Sequence, residues 1–283
     1  MNKIILCADS TCDLSPDLAE RYHVIEFPYH IRIGDREYSD NVDITAAEIF
    51  ENYKKTRTLP KTSAINVSEF TDFFEKWVSQ GYDVIHINLG SGISATFHNA
   101  ETAAQQFSNV FVVDSKNLST GTGLIVIEAA KMIDEGLPAI EIYARLQKLT
   151  SHAHASFILD TLEYMRAGGR CSAVAALGAN LLNLKPCIEV DNTTGKMSVG
   201  KKYRGQLSKV LVKYVEDQLA RYDNIDTEKI FITHSVIAPE LVDIVRDTIN
   251  RTMHFDNIYD TDASCTISSH CGPATLGILF LTK

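Results

Sequence analysis

Along the first half of the chain, short apolar runs alternate with longer stretches in which apolar residues recur at helical spacing. Ile4–Ala8 reads as a strand running into the polar loop Asp9-Ser10-Thr11. Ser15-Pro16 opens a helix, with Ser as N-cap and Pro at the first helical position. Val24 to Ile33 is strand-like up to the turn Gly34-Asp35, and Thr45-Ala-Ala-Glu48 is a capping box. After Pro60, residues 61–66 read as a polar loop, followed by a helix from near Asn66 to Gln80. Asp83–Leu89 is a strand, residues 90–93 a Gly/Ser loop, and Ser94 to Gln106 a helix. Val110–Val113 is the next strand and closes on Asp114-Ser115. Helices follow at about 120–135 and, after Pro138, to about 151. This order implies a mostly parallel, doubly wound sheet covered on both faces.

Past His152 the grammar changes. Phe157–Asp160 precedes a short helix stopped by Gly168-Gly169, and Ser172–Leu182 reads as another helix. Cys187–Val190, the turn 191–195 and Lys196–Tyr203 form a hairpin, which a purely doubly wound sheet does not contain. The expected fold is therefore α/β for residues 1–152, joined to an α+β domain with a mixed sheet over residues 153–283.

Composition narrows the class without choosing a function. The 283 residues are 45% hydrophobic and 22% charged, an ordinary globular mixture long enough for about two domains. A net charge of −9 argues against a phosphate-tracking nucleic-acid binder. No run approaches the roughly 20 apolar residues of a membrane helix, and Ile4–Ala8 is too short for a signal peptide. The six Cys, at 7, 12, 171, 187, 265 and 271, have no zinc-ligand spacing. They read as small buried hydrophobes in a reducing cytoplasm.

Several polar clusters could carry chemistry. Gly90-x-Gly92-x-x-Ala95 follows a strand, opens a helix and has Asp114 about 20 residues on, which satisfies a dinucleotide fingerprint. An NAD-dependent oxidoreductase is the alternative this loop raises. In either case, a helix beginning at Ser94 offers backbone N–H groups to an anion. Thr62-Ser63 and Ser268-Ser269-His270-Cys271-Gly272-Pro273 are two further clusters. His270 near serines invites a nucleophile–base reading, with Ser91, Ser94 or Ser269 as nucleophile, although none lies in G-x-S-x-G. Arg170 ends Thr161–Arg170 after two glycines. Arg204 joins Lys196, Lys201 and Lys202 in a basic patch on an acidic protein.

Seven motifs in order carry a resemblance: ADST, PKTS, GSGISAT, DS, TLEYMRAGGR, LLNLKPCIEVDNTTG and SSHCGPATLG. Over essentially its full length the chain resembles the DegV family, fatty-acid-binding proteins of the FakB type. The resemblance implies a cytoplasmic carrier, not an enzyme, that holds one long-chain fatty acid and needs no cofactor or metal. A separate partner, a dihydroxyacetone-kinase-like fatty acid kinase, would phosphorylate the carboxylate to an acyl phosphate, a step in phospholipid metabolism. Matched motif by motif, Thr62, Ser94 and His270 would bind the carboxylate, with Arg170 and Arg204 supporting or facing the kinase. After Thr62-Ser63 the family usually continues Gln-Pro, and here Ala64-Ile65 stand instead.

The physics suits a carrier. Burying about 14 methylenes at roughly 0.8 kcal/mol each is worth about 11 kcal/mol against water, much of it offset by association entropy. The same chain is equally at home in a bilayer, so carriage is compatible with transient membrane contact. The polar head then decides orientation, because a desolvated carboxylate is costly unless several donors meet it.

Overall fold

The computed structural model describes residues 2–175 and 184–283. Strands β1 (Ile4–Asp9), β2 (Val24–Phe27), β6 (Asp83–Asn88) and β7 (Val110–Asp114) form a parallel sheet in the order β2-β1-β6-β7. A small antiparallel sheet, β4-β3-β5, comprises β3 (His30–Ile33), β4 (Arg36–Ser39) and β5 (Lys61–Ser63). The third sheet is mixed and runs β10-β9-β8-β13-β11-β12. Its members are β8 (Ala153–Ile158), β9 (Leu184–Val190), β10 (Met197–Arg204), β11 (Ile225–Ser235), β12 (Asn257–Asp262) and β13 (Thr275–Thr282). Only β11 and β12 pair in parallel there. The α/β and α+β halves expected from the pattern are thus both present.

The helices in chain order are α1 (Pro16–Arg21), α2 (Ala46–Thr56), α3 (Val67–Val78), α4 (Thr96–Ala104), α5 (Thr120–Asp134) and α6 (Ala139–Leu149). Then come α7 (Glu163–Gly168), α8 (Ser172–Ala175), α9 (Leu207–Leu219), α10 (Pro239–Thr252) and α11 (Cys265–Cys271). Ser15 caps α1 and Pro16 opens it, while Thr45 and Asn66 close capping boxes with Glu48 and Glu69. Among the described residues, no helix is long and apolar enough to cross a membrane. All six cysteines are free and buried.

Four expectations are corrected or left aside. Val24–Ile33 is two strands in two sheets, because Pro28 has no N–H to continue the ladder. Residues 61–63 are not loop but strand β5, with Thr62 opposite Ile31. The helix after the Gly-rich loop starts at Thr96, two residues later than expected, since Ile93 and Ser94 turn their N–H groups back onto Gly90 O. The expected helix Ser172–Leu182 lies outside the described residues from 176 onward.

Helix α5 joins the two large sheets. It packs on β1 and β6 of one and on β8 and β13 of the other. Every residue from Thr120 to Ile127 is buried, as expected of a helix that is apolar all round. One continuous apolar core consequently runs from Leu6 and Val84 through Ile125 to Phe157 and Leu279.

The N-terminus of α11 is wired to the first strands. Asp13 Oδ1 accepts the Ser264 N–H at 2.9 Å, and Asn41 Oδ1 accepts that of Cys265 at 3.2 Å. Asp40 Oδ2 accepts the Thr266 N–H at 3.3 Å, and Ser264 Oγ caps Ile267 N at 3.3 Å. The orphan donors of the first turn are therefore met by side chains more than 200 residues away in sequence. Burial raises Asp40 and pushes Asp13 from 3.8 up to about 8, against the opposing bonds from Ser119 and Ser264. For Asp13, stability carried by the neutral form is complete below 3.8 and lost as pH rises toward about 8. Asn cannot ionise and tolerates the left-handed backbone at this position (φ 52°). Asp13→Asn should therefore gain in stability relative to wild type as pH rises through that window. Urea denaturation of both proteins across the window checks this, and a gap that stays flat or moves the other way contradicts it.

Candidate functional site

Three elements from distant parts of the chain meet around one cavity. β5 presents Thr62, the loop between β6 and α4 presents Ser94, and the last turn of α11 presents His270. Thr62 Oγ1 and His270 Nε2 stand 2.8 Å apart. Tyr29, from the break between β2 and β3, places its hydroxyl 3.1 Å from Ser94 Oγ. The cavity is narrow, and Leu89, Leu118, Met165, Met197 and Ile267 make its wall overwhelmingly apolar. A second narrow space shares Leu118, Ile267 and Cys271 with the first and lies against the mixed sheet, lined by Phe157 and Leu279. On the other side an open mouth shares Tyr29, Thr62, Ile93, Ser94 and Arg170. The three spaces adjoin one another through these shared residues, with hydroxyls toward solvent and apolar walls inside.

The second chamber is lined by several hydroxyl residues, each bonded to the protein. Ser119 donates to Asp13, Ser156 pairs with Tyr214, Thr233 with Thr120, Ser235 donates to Ser268, and Thr275 donates to the Cys271 carbonyl. Each of these hydroxyls thus has a partner inside the fold, and the surface facing the chamber is mostly apolar.

His270 is neutral at physiological pH. Burial, with the Arg170 charge adding to it, lowers its pKa from 6.5 to about 4. Its Nδ1 is buried without a hydrogen-bond partner among the described residues and lies against Gly168, where a Cβ would come within 2.2 Å of it. Gly168 of the Gly-Gly-Arg turn is therefore what lets the imidazole seat. A buried N–H without an acceptor costs more than an idle lone pair, so the proton belongs on Nε2, donating to Thr62 Oγ1. That leaves the Thr62 hydroxyl proton free to point into the cavity.

Arg170 is exposed, lines both cavity and mouth, and donates from Nη1 to Gly168 O at 2.7 Å. Thr62, Ser94, His270 and Arg170 are thus brought together. Arg204 is not: it sits exposed at the end of β10 opposite Leu184, outside the lining of cavity and mouth. Lys196 and Lys202 are likewise exposed, and Lys201 pairs with Asp217 at 2.5 Å. The sequence reading missed Tyr29, whose only signal was an aromatic directly after the strand-breaking Pro28.

The Gly-rich loop does not support the dinucleotide alternative. A Cβ on Gly92 would meet Thr194 O at 2.5 Å, because the turn of the β9–β10 hairpin packs on it where a pyrophosphate would approach. Asp114, the acid placed to hold a ribose, instead accepts Ser91 N–H at 2.9 Å and Ser91 O–H at 2.6 Å. The loop is a packed joint. Nor does the geometry assemble a serine nucleophile: His270 bonds Thr62, Ser91 bonds Asp114, Ser94 bonds Tyr29 and Thr96, and the Ser269 hydroxyl is buried without a partner among the described residues.

Comparison with known proteins gives one answer over the whole length. A DegV domain-containing protein of Staphylococcus aureus strain MRSA252 is 30% identical over 286 residues, with all of both chains covered. The solved structure of a DegV family protein from Thermus thermophilus, described as fatty-acid-binding, superposes with a TM-score of 0.88 at 26% identity over 99% of this chain and 100% of that one. DegV from Bacillus subtilis, described as a fatty acid binding protein, gives 0.84 at 25% identity with both chains fully covered. The family model described as an uncharacterised protein of the DegV family matches residues 3–283. With this fold, these motifs and these matches, the chain belongs to the DegV family.

Proposed function

We propose that this protein binds one long-chain fatty acid, with the acyl chain in the two apolar chambers and the carboxylate at the hydroxyl ring. The observation that carries this reading is the convergence of Thr62, Ser94 and His270 on the polar end of an otherwise apolar cavity. The fatty-acid binding described for the Thermus and Bacillus relatives supports it. Thr62 and Ser94 donate to the carboxylate oxygens, and neutral His270 holds the Thr62 hydroxyl in its donor orientation. Arg170 at the mouth adds a solvent-screened positive charge. Residues 1–152 and 153–283 act as two halves that share the ligand.

The chain is a cytoplasmic carrier in this reading, and the chemistry belongs to a separate fatty acid kinase that phosphorylates the presented carboxylate. Exposed Arg204 faces that partner and helps neutralise the phosphate. The kinase role rests on the family resemblance and on the exposure of the basic strand end.

A hydrogen bond to a charged group is worth about 1.5–3 kcal/mol. Thr62→Ala combined with Ser94→Ala should therefore weaken fatty-acid binding by roughly tenfold or more, with the thermal unfolding profile retained. Displacement of a fluorescent fatty-acid probe measures it, and unchanged affinity would remove both hydroxyls from the site. Ile267 borders both chambers, so Ile267→Trp should block the passage and shift the extracted lipid to shorter chains by mass spectrometry. An unaltered chain-length profile would place the acyl tail elsewhere. Arg204→Ala should leave binding intact and slow kinase-coupled acyl-phosphate formation; full-rate turnover would end the role given to that guanidinium.

A further inference from the structure

Tyr29 is 2% exposed and lines both the cavity and its mouth. Its hydroxyl donates to Ser94 Oγ at 3.1 Å. Ser94 Oγ also accepts the Thr96 N–H at 3.3 Å and stands 3.0 Å from Thr96 Oγ1. A serine hydroxyl has one proton and two lone pairs. Tyr29 and the Thr96 amide occupy both lone pairs, so what Ser94 has left to offer is its proton. Thr96 Oγ1 at 3.0 Å can take that proton, and so can an acceptor placed in the cavity.

We propose that Tyr29 is a positioning residue that makes Ser94 a donor only, so that the head-group site selects a carboxylate over an alcohol of the same chain length. The inference rests on the fatty-acid reading and adds the residue that sets its head-group selectivity. A carboxylate accepts hydrogen bonds and donates none, which matches two hydroxyls whose protons both face the cavity. A long-chain alcohol brings a proton of its own. Ser94 has no lone pair left to take it; Thr62 has one beyond the His270 bond, but using it turns the Thr62 proton away from the ligand, so an alcohol receives fewer donated bonds than a carboxylate. Burial holds the Tyr29 phenol well above its ordinary pKa, so its proton is present throughout the physiological range.

The test uses the delipidated full-length protein and its Tyr29→Phe variant, which keeps the ring and removes the hydroxyl. Each is titrated with oleic acid and with oleyl alcohol, read by displacement of a fluorescent fatty-acid probe. Wild type should prefer the acid by about tenfold or more, and Tyr29→Phe should narrow that ratio by roughly three- to tenfold, through weaker acid binding and equal or tighter alcohol binding. An unchanged acid-to-alcohol ratio in the variant, including equal weakening of both ligands, overturns the inference and leaves Tyr29 a packing residue. A variant too unstable to titrate would also overturn it, since loss of one hydroxyl would then matter to the fold and not to the head group. Wild-type protein that holds neither ligand would sink the fatty-acid reading itself, and this inference with it.

Discussion

The arrangement of the whole cavity depends on how the first turn of α11 is satisfied. A seven-residue helix has almost no stability of its own, and its leading N–H groups would be costly to bury unpaired. Asp13, Asn41 and Asp40 take those donors, and in doing so fix the helix that carries His270 against the segments that follow β1 and β4. Asp9 plays the matching part for the Gly-rich loop, accepting the Leu89 N–H at 2.7 Å where β6 ends. The N-terminal Asp-Ser-Thr segment is thus scaffold for the site. Its acids are buried and turned toward backbone donors.

From that scaffold follows the division of labour at the cavity. Its walls are mostly apolar, and its buried polar end is built from neutral groups, with the exposed Arg170 at the mouth. His270 is kept uncharged by burial, and Tyr29 is kept protonated by the same cause. A site whose buried donors are neutral holds no buried charge of its own, which suits the anion binding proposed above.

Much of this was legible in the residue order, and the exceptions are instructive. Ser15, Thr45 and Asn66 announced their helices because a side-chain cap is a local device that needs no tertiary partner. The parallel sheet followed from alternating strand and helix signals. Strand β5 was not legible, since Lys61-Thr62-Ser63 has no apolar alternation and becomes a strand only because β3 lies beside it. The dinucleotide fingerprint misled for a related reason. Gly90 and Gly92 are small to admit neighbouring backbone, from Asn117 and the turn at 194–195, and spacing alone does not distinguish a backbone from a phosphate. Thr62, Ser94 and His270 were assigned from family motifs; their meeting depends on contacts across the chain that no local pattern encodes.

The burial of α5 on both sides bears on how such a cavity exchanges its contents. Prying the two large sheets apart would bare Leu124, Ile125, Val126 and Ile127, each fully buried, at about 1.5–3 kcal/mol apiece. That seam is effectively welded. A ligand bound as proposed would enter more cheaply at the lighter-built flank, past a three-residue edge strand and a short glycine turn, with the frame behind it holding still.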